Sequence, residues 1–238
     1  MNYPVEWVNA VVNKSISVRN DIQKPVKDSD KTAVIVELRN EMFLLHVIRV
    51  FLYHLAPKGF RFLLFHGRSN AVLAKTFIEP LGVELRELPI ETLTPNQYTC
   101  FLKTKDFWNQ IPGEHILIYE MDTYIRHGNI EPFLQYDYVG APWEPIQCPW
   151  SNSKSRVGNG GLSLRRKSAL LRCLEKRPAN QCVFNDDRYF SEYCEDIMYL
   201  PDTETAKSFS VETWEHPNPL GFHKPWLYLR PELIYPLM

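Results

Sequence analysis

Between Thr32 and Tyr119 the chain alternates short apolar runs with segments whose apolar residues fall three and four apart, and this restricts the fold more than any other feature. Thr32 to Glu37 reads as a first buried strand. Leu44, Leu45, Ile48, Phe51, Leu52 and Leu55 then form one helical face that stops near Pro57-Lys58-Gly59. Phe60 to Phe65 is a second strand closed by His66-Gly67, Val72 to Ile78 a short helix, and Val83 to Leu88 a third strand. Thr94, with Pro95 at the first helical position and Gln97 three residues on, predicts a capping box opening a helix that runs to about Trp108. The wholly apolar Ile116-Leu117-Ile118-Tyr119 follows as a central strand. Such β-α-β-α-β order predicts an α/β domain whose mostly parallel central sheet is flanked by helices, with ligands at the carboxyl ends of its strands.

Glu120-Met121-Asp122 stands directly after that central strand. Residues i and i+2 of a strand point to one side, so two carboxylates are expected to converge where they suit a hard divalent cation. An acidic pair alone is weak evidence, because surface strand ends often carry one. The apolar run before it places this pair at a cleft.

The 238 residues, 45% of them hydrophobic, suffice for one core, and no second domain is expected. Residues 1–31 are polar and mixed, and read as a leader packed on or extending from a domain over 32–238. A net charge of −1 provides no broad positive field, so nucleic acid is excluded as a partner. Cys100, Cys148, Cys173, Cys182 and Cys194 are odd in number and lack any CxxC spacing, which argues against a disulfide scaffold or zinc knuckle and for a reducing compartment. With no membrane-spanning run and no signal peptide at the start, the expectation is a soluble, cytoplasmic protein.

Three further clusters lie in the second half. Gly158-Asn159-Gly160-Gly161 precedes a short strand, Leu162 to Arg165; its glycines suit either a close backbone approach to a ligand or a plain turn. It is neither a P-loop nor a dinucleotide fingerprint, since no Gly-Lys-Ser/Thr follows and a strand comes next. Asn185-Asp186-Asp187 opens a helix, where one acid serves the helix dipole and the other is available as a general base. His216 and the run Gly221-Phe222-His223-Lys224-Pro225-Trp226 bring an imidazole, an ammonium and an aromatic ring.

In this order the acid pair, Tyr136-Asp137-Tyr138-Val139-Gly140-Ala141-Pro142-Trp143, Gly158 to Arg165, the second acid pair and Gly-x-His-Lys-Pro-Trp resemble a GT-A type glycosyltransferase. More narrowly they resemble a glycosyltransferase-like domain family of formerly unknown function, over roughly Thr32 to Trp226. The resemblance implies Mn2+ or Mg2+ held by Asp122 and Glu120 with His223, His216 being the rival, and Lys224 on the departing phosphate. Glu120 departs from the usual aspartate, which opens the alternative of a bond to the ribose or to a metal-bound water. The resemblance further implies Asp187 as the base, with Asp186 beside it, and Gly160 and Gly161 bordering the sugar pocket near Arg165. Trp226 offers a face for a sugar, and by topology alone Glu37 and Arg39, at the end of strand one, are expected to border the nucleobase.

The implied activity is inverting transfer of a sugar from a nucleoside-diphosphate-sugar donor to a saccharide or glycoconjugate acceptor. A haloacid-dehalogenase-like phosphatase needs an aspartate where Glu120 stands. A nucleotidyltransferase needs a glycine-rich triphosphate loop near strand one, which is not seen. A non-catalytic saccharide-binding module on the same fold is the third alternative.

Overall fold

A computed structural model describes residues 3–151, 156–177 and 185–238. Helix α1, Val5–Ser17, precedes the sheet and buries Trp7 and Val11 in the core. Strand β1, Lys31–Val36, leads through helix α2, Phe43–Leu55, to β2, Arg61–His66, and then β3, Glu84–Glu87. Strands β4, His115–Tyr119, β6, Tyr138–Gly140, and β7, Leu162–Arg166, complete a six-stranded sheet in the order β3-β2-β1-β4-β7-β6. Strands β1 to β4 pair in parallel and β7 runs against both its neighbours. Consequently the start of β7, with the glycine turn before it, lies at the same edge as the carboxyl ends of β1 and β4.

Ile116, Leu117 and Ile118 of β4 are fully buried, as a strand covered on both faces requires, and each such side chain contributes about 1.5–3 kcal/mol. Phe51 of α2 stacks on Tyr119 with ring centroids 4.1 Å apart, fixing the helix over the end of that strand.

A second sheet of three strands, β5-β9-β8, was not legible in the sequence. It comprises β5, Thr123–Ile125, β8, Ser210–Val211, and β9, Gly221–His223, runs too short to show an alternation.

Other departures from expectation have local causes. The capping box of Thr94 and Gln97 forms, but its helix stops at Phe101 and a second helix covers Lys105–Asn109. Thr104, in an extended conformation between them, caps the second helix by accepting from the Phe107 N–H at 3.2 Å. The short helix expected at Val72 to Ile78 is one α turn followed by a π turn over Ala74–Ile78.

Cys148, Cys173 and Cys194 are buried free thiols, whereas Cys100 is disulfide-bonded; Cys182 lies outside the described residues. Three free thiols fit the expected lack of a disulfide scaffold, while the bonded Cys100 departs from the expectation of a reducing compartment, because proximity in the fold decides cross-linking. Among the described residues, no helix is long and apolar enough to cross a membrane.

Candidate active site

The carboxyl ends of β1 and β4 and the turn before β7 enclose a cavity of about 460 Å3, a size that suits a small-molecule ligand. Residues from every cluster singled out in the sequence reach it: Glu37, Arg39, Glu120, Asp122, Gly160, Gly161, Asp186, Asp187, His223 and Lys224 all line its wall.

Glu120, Met121 and Asp122 carry the chain out of the first sheet and into the second. They form a turn in which the Thr123 N–H donates to the Glu120 carbonyl at 3.2 Å, with Met121 buried beneath. The two acids thus converge through a turn, not through the period of a strand. Antiparallel pairing of β5 with β9 sets Thr123 opposite His223, and the Lys224 N–H donates to the Asp122 carbonyl at 2.9 Å. His223 Nε2 consequently lies 3.5 Å from Asp122 Oδ1 and 3.8 Å from Glu120 Oε2.

One ligand atom from each of the three residues fits within a 4.8 Å cluster. Asp122 Oδ1 and both ring nitrogens of His223 are buried without a hydrogen-bond partner, a costly state that a cation bound between Oδ1 and Nε2 relieves at those two atoms. Carboxylate oxygens with one imidazole fit Mn2+ or Mg2+. His216 stands outside this cluster, with Nδ1 accepting from the Asn218 N–H at 3.1 Å.

Electrostatics follow the geometry. Burial opposes a charge on His223, yet Asp122, Glu120 and Glu212 hold its pKa well above the ordinary imidazole value. Burial also penalises the Asp122 carboxylate, but His223 and Lys224 keep its pKa below the usual range. Lys224 is a non-glycine residue in the left-handed region, φ 32°, a strain of the kind that collects at functional sites. Burial lowers its basicity, and Glu212, Asp122 and Glu120 more than restore it.

On the opposite wall Asp186 and Asp187 have separate surroundings. The Asp186 carboxylate accepts from Arg165 Nη1 at 2.8 Å and from the Thr99 hydroxyl at 3.1 Å. Arg165 is wholly buried, with Tyr138, Trp108 and Phe190 packed around its guanidinium at 5.0 to 6.0 Å, and it also donates to the Gly160 carbonyl at 3.3 Å. It lies behind the cavity wall and holds the two halves of that wall together. Asp187, whose Oδ1 accepts from the Arg188 N–H at 2.7 Å, faces the cavity. Burial, and then the charge of Asp186, push its pKa up to about 7, against the pull of the Arg188 N–H and Arg165.

At the end of β1, Glu37 accepts from Arg39 Nε at 2.9 Å and Nη2 at 2.6 Å. Asn70 fixes this loop by donating to the Glu37 carbonyl at 2.8 Å. Trp226, like Arg165, is a site candidate that does not line the cavity. Its ring packs on Trp7 with centroids 4.5 Å apart and meets Tyr3 edge-on at 6.2 Å.

Sequence reasoning missed Tyr98, Thr99, Asn159 and Glu212. Tyr98 lines the cavity with a buried hydroxyl that lacks a hydrogen-bond partner. Tyr98 and Thr99 lie within the capped helix Pro95–Phe101, so the capping box was the available signal. Glu212 had none, because the two-residue strand before it has no period.

Together, the reversed strand, the acidic turn after β4 and the cavity at the sheet edge define the GT-A fold of nucleotide-diphospho-sugar transferases. The chain belongs to the family described as protein of unknown function (DUF5672), whose model matches residues 82–223, more than half of its length.

Solved structures agree on the fold. The mannosyltransferase PcManGT from Pyrobaculum calidifontis, in complex with GDP-Man and Mn2+, superposes with a TM-score of 0.51 at 11% identity over 82% of this chain and 63% of that one. The galactosyltransferase LgtC, in complex with donor and acceptor sugar analogues, gives 0.50 at 12% identity over 84% and 87%. The glycosyltransferase GlyE from Streptococcus pneumoniae gives 0.50 at 10% identity over 87% and 56%. The chain thus spans less than two thirds of PcManGT and of GlyE. No curated protein matches by sequence.

Proposed function

We propose that this protein transfers a sugar from a nucleoside-diphosphate-sugar to an acceptor hydroxyl, a saccharide or glycoconjugate, with inversion at the anomeric carbon. The observation that carries this reading is that one cavity joins the Glu120, Asp122 and His223 cluster to Asp187, whose pKa of about 7 suits a base working near neutral pH. That GT-A structures with GDP-Man and Mn2+, or with donor and acceptor analogues, share the fold supports the class of substrate.

Asp122, His223 and Glu120 would hold Mn2+ or Mg2+, which when bound supplies positive charge for the donor diphosphate. Lys224, on the same wall, adds its ammonium to that charge as the bond from the anomeric carbon to the diphosphate oxygen breaks. The acceptor hydroxyl attacks from the other side, forms the new bond to that carbon, and gives its proton to Asp187. Glu37 and Arg39 border the nucleobase, and Gly160 with Gly161 the sugar. Asp186, tied to Arg165 and Thr99, holds the wall that carries the base.

A panel of nucleoside-diphosphate-sugars with Mn2+, assayed for turnover with the parent and with Asp187→Asn, tests the reading. Release of nucleoside diphosphate by the parent and its loss in the variant are expected. NMR of the product decides the stereochemistry, and a retained anomeric centre removes Asp187 from the role of base.

A further inference from the structure

We propose that Glu212 is a positioning residue for His223, turning the imidazole so that Nε2 faces the cation held with Asp122 and Glu120. This rests on the metal site proposed above and goes beyond it by assigning a residue outside the ligand set. Parallel pairing of β8 with β9 sets Val211 beside Phe222, and one further step along both strands brings Glu212 beside His223. There Glu212 Oε1 lies 3.3 Å from His223 Nδ1, on the opposite side of the ring from the 3.5 Å approach of Nε2 to Asp122.

Glu212 is itself 3% exposed, a burial that an acid does not tolerate without partners. Its partners are all parts of the same wall. Oε2 accepts from Asn159 Nδ2 at 2.7 Å, while Asn159 Oδ1 accepts from the Gly161 N–H at 3.0 Å. Lys224 Nζ lies 4.0 Å from Oε1. One carboxylate therefore connects the imidazole, the ammonium and the glycine turn. A metal-bound histidine needs its second nitrogen to donate to an acceptor, which selects the tautomer and orients the ring. His223 Nδ1 has no hydrogen-bond partner in the structure, and Oε1 at 3.3 Å is the acceptor placed to take its proton.

The test is Mn2+ binding to the full chain without donor, followed by electron paramagnetic resonance, with spin-echo modulation from the imidazole nitrogen as the second readout. Parent protein is compared with Glu212→Gln and Glu212→Asp, and melting temperature and circular dichroism establish that each variant is folded. The expected result is a 10- to 100-fold loss of Mn2+ affinity and a weakened nitrogen coupling in the glutamine variant, with partial recovery in the aspartate variant. If the parent binds Mn2+ with nitrogen coupling and a folded Glu212→Gln binds equally well with the same coupling, Glu212 does not orient the ring and the metal site stands. A parent that binds no Mn2+ overturns both. Should the glutamine variant fail to fold, the aspartate variant decides alone: unchanged affinity and coupling with the shortened arm overturn the inference.

Discussion

The His223 imidazole occupies the space that a side chain on Gly161 would need: a β-carbon built there would stand 2.2 Å from Nε2. The glycine turn serves the protein's own imidazole before it serves any ligand. Gly161→Ala is expected to cost about 1–3 kcal/mol through overpacking and to displace the ring from Asp122. Chemical denaturation measures the first effect. Mn2+ binding measures the second, with a fall of tenfold or more expected.

Removal of the acid that the cation site depends on should act on ligand response more than on folding. Asp122→Ala is expected to abolish the rise in melting temperature caused by Mn2+, while the parent gains about 2.7 kcal/mol at a hundredfold excess over the dissociation constant. Differential scanning fluorimetry with and without chelator reads both.

Asp187 gives a signed dependence on pH. Its folded-state pKa, about 7, lies above the ordinary 3.8, so the proton favours the folded state. The associated stability is present below about pH 4 and is lost as pH rises through 7. Asp187→Asn should therefore be more stable than the parent at pH 8, by about 1–2 kcal/mol after solvent screening of this half-buried group, and the difference should vanish near pH 4. Activity runs the other way. In the parent, kcat/KM should fall tenfold per pH unit below about 7, as the base is protonated.

Arg165 and Asp186 form a buried pair at 2.8 Å, and Arg165→Ala leaves an uncompensated carboxylate beside Thr99. A loss of about 3–5 kcal/mol is expected from urea denaturation. Asp186→Asn, which retains the hydrogen-bonding shape, should lose less.

Trp226 supplies the contrasting case. Because its ring faces Trp7 and Tyr3, Trp226→Phe should change the donor KM less than twofold while lowering the melting temperature. A large rise in KM with unchanged stability would return Trp226 to the donor site.

Much of the first sheet and the site was legible because the signals there are long or chemically distinctive. The apolar run ending at Tyr119 located the central strand, and the residue types of Asp122, His223 and Asp187 pointed to cation and base chemistry. A strand period predicts that Glu120 and Asp122 share one face, whereas a turn between two sheets brings them together. Glu212 was invisible because its position follows from pairing between distant short strands, β8 and β9, that no local pattern announces. The position of Trp226 was not legible, because a tryptophan's ring serves a sugar or another ring equally well, and its ring packs on Trp7 of helix α1.

Strand β4 pairs with β7 so that Tyr119 stands across from Leu162, leaving Glu120 and Gly161 each one step past a common rung. Any loop transplant intended to change which sugar is accepted must preserve that rung, since slipping either chain by a single residue turns every side chain on it to the opposite face. The two segments are thus one module for engineering, exchangeable together and not apart.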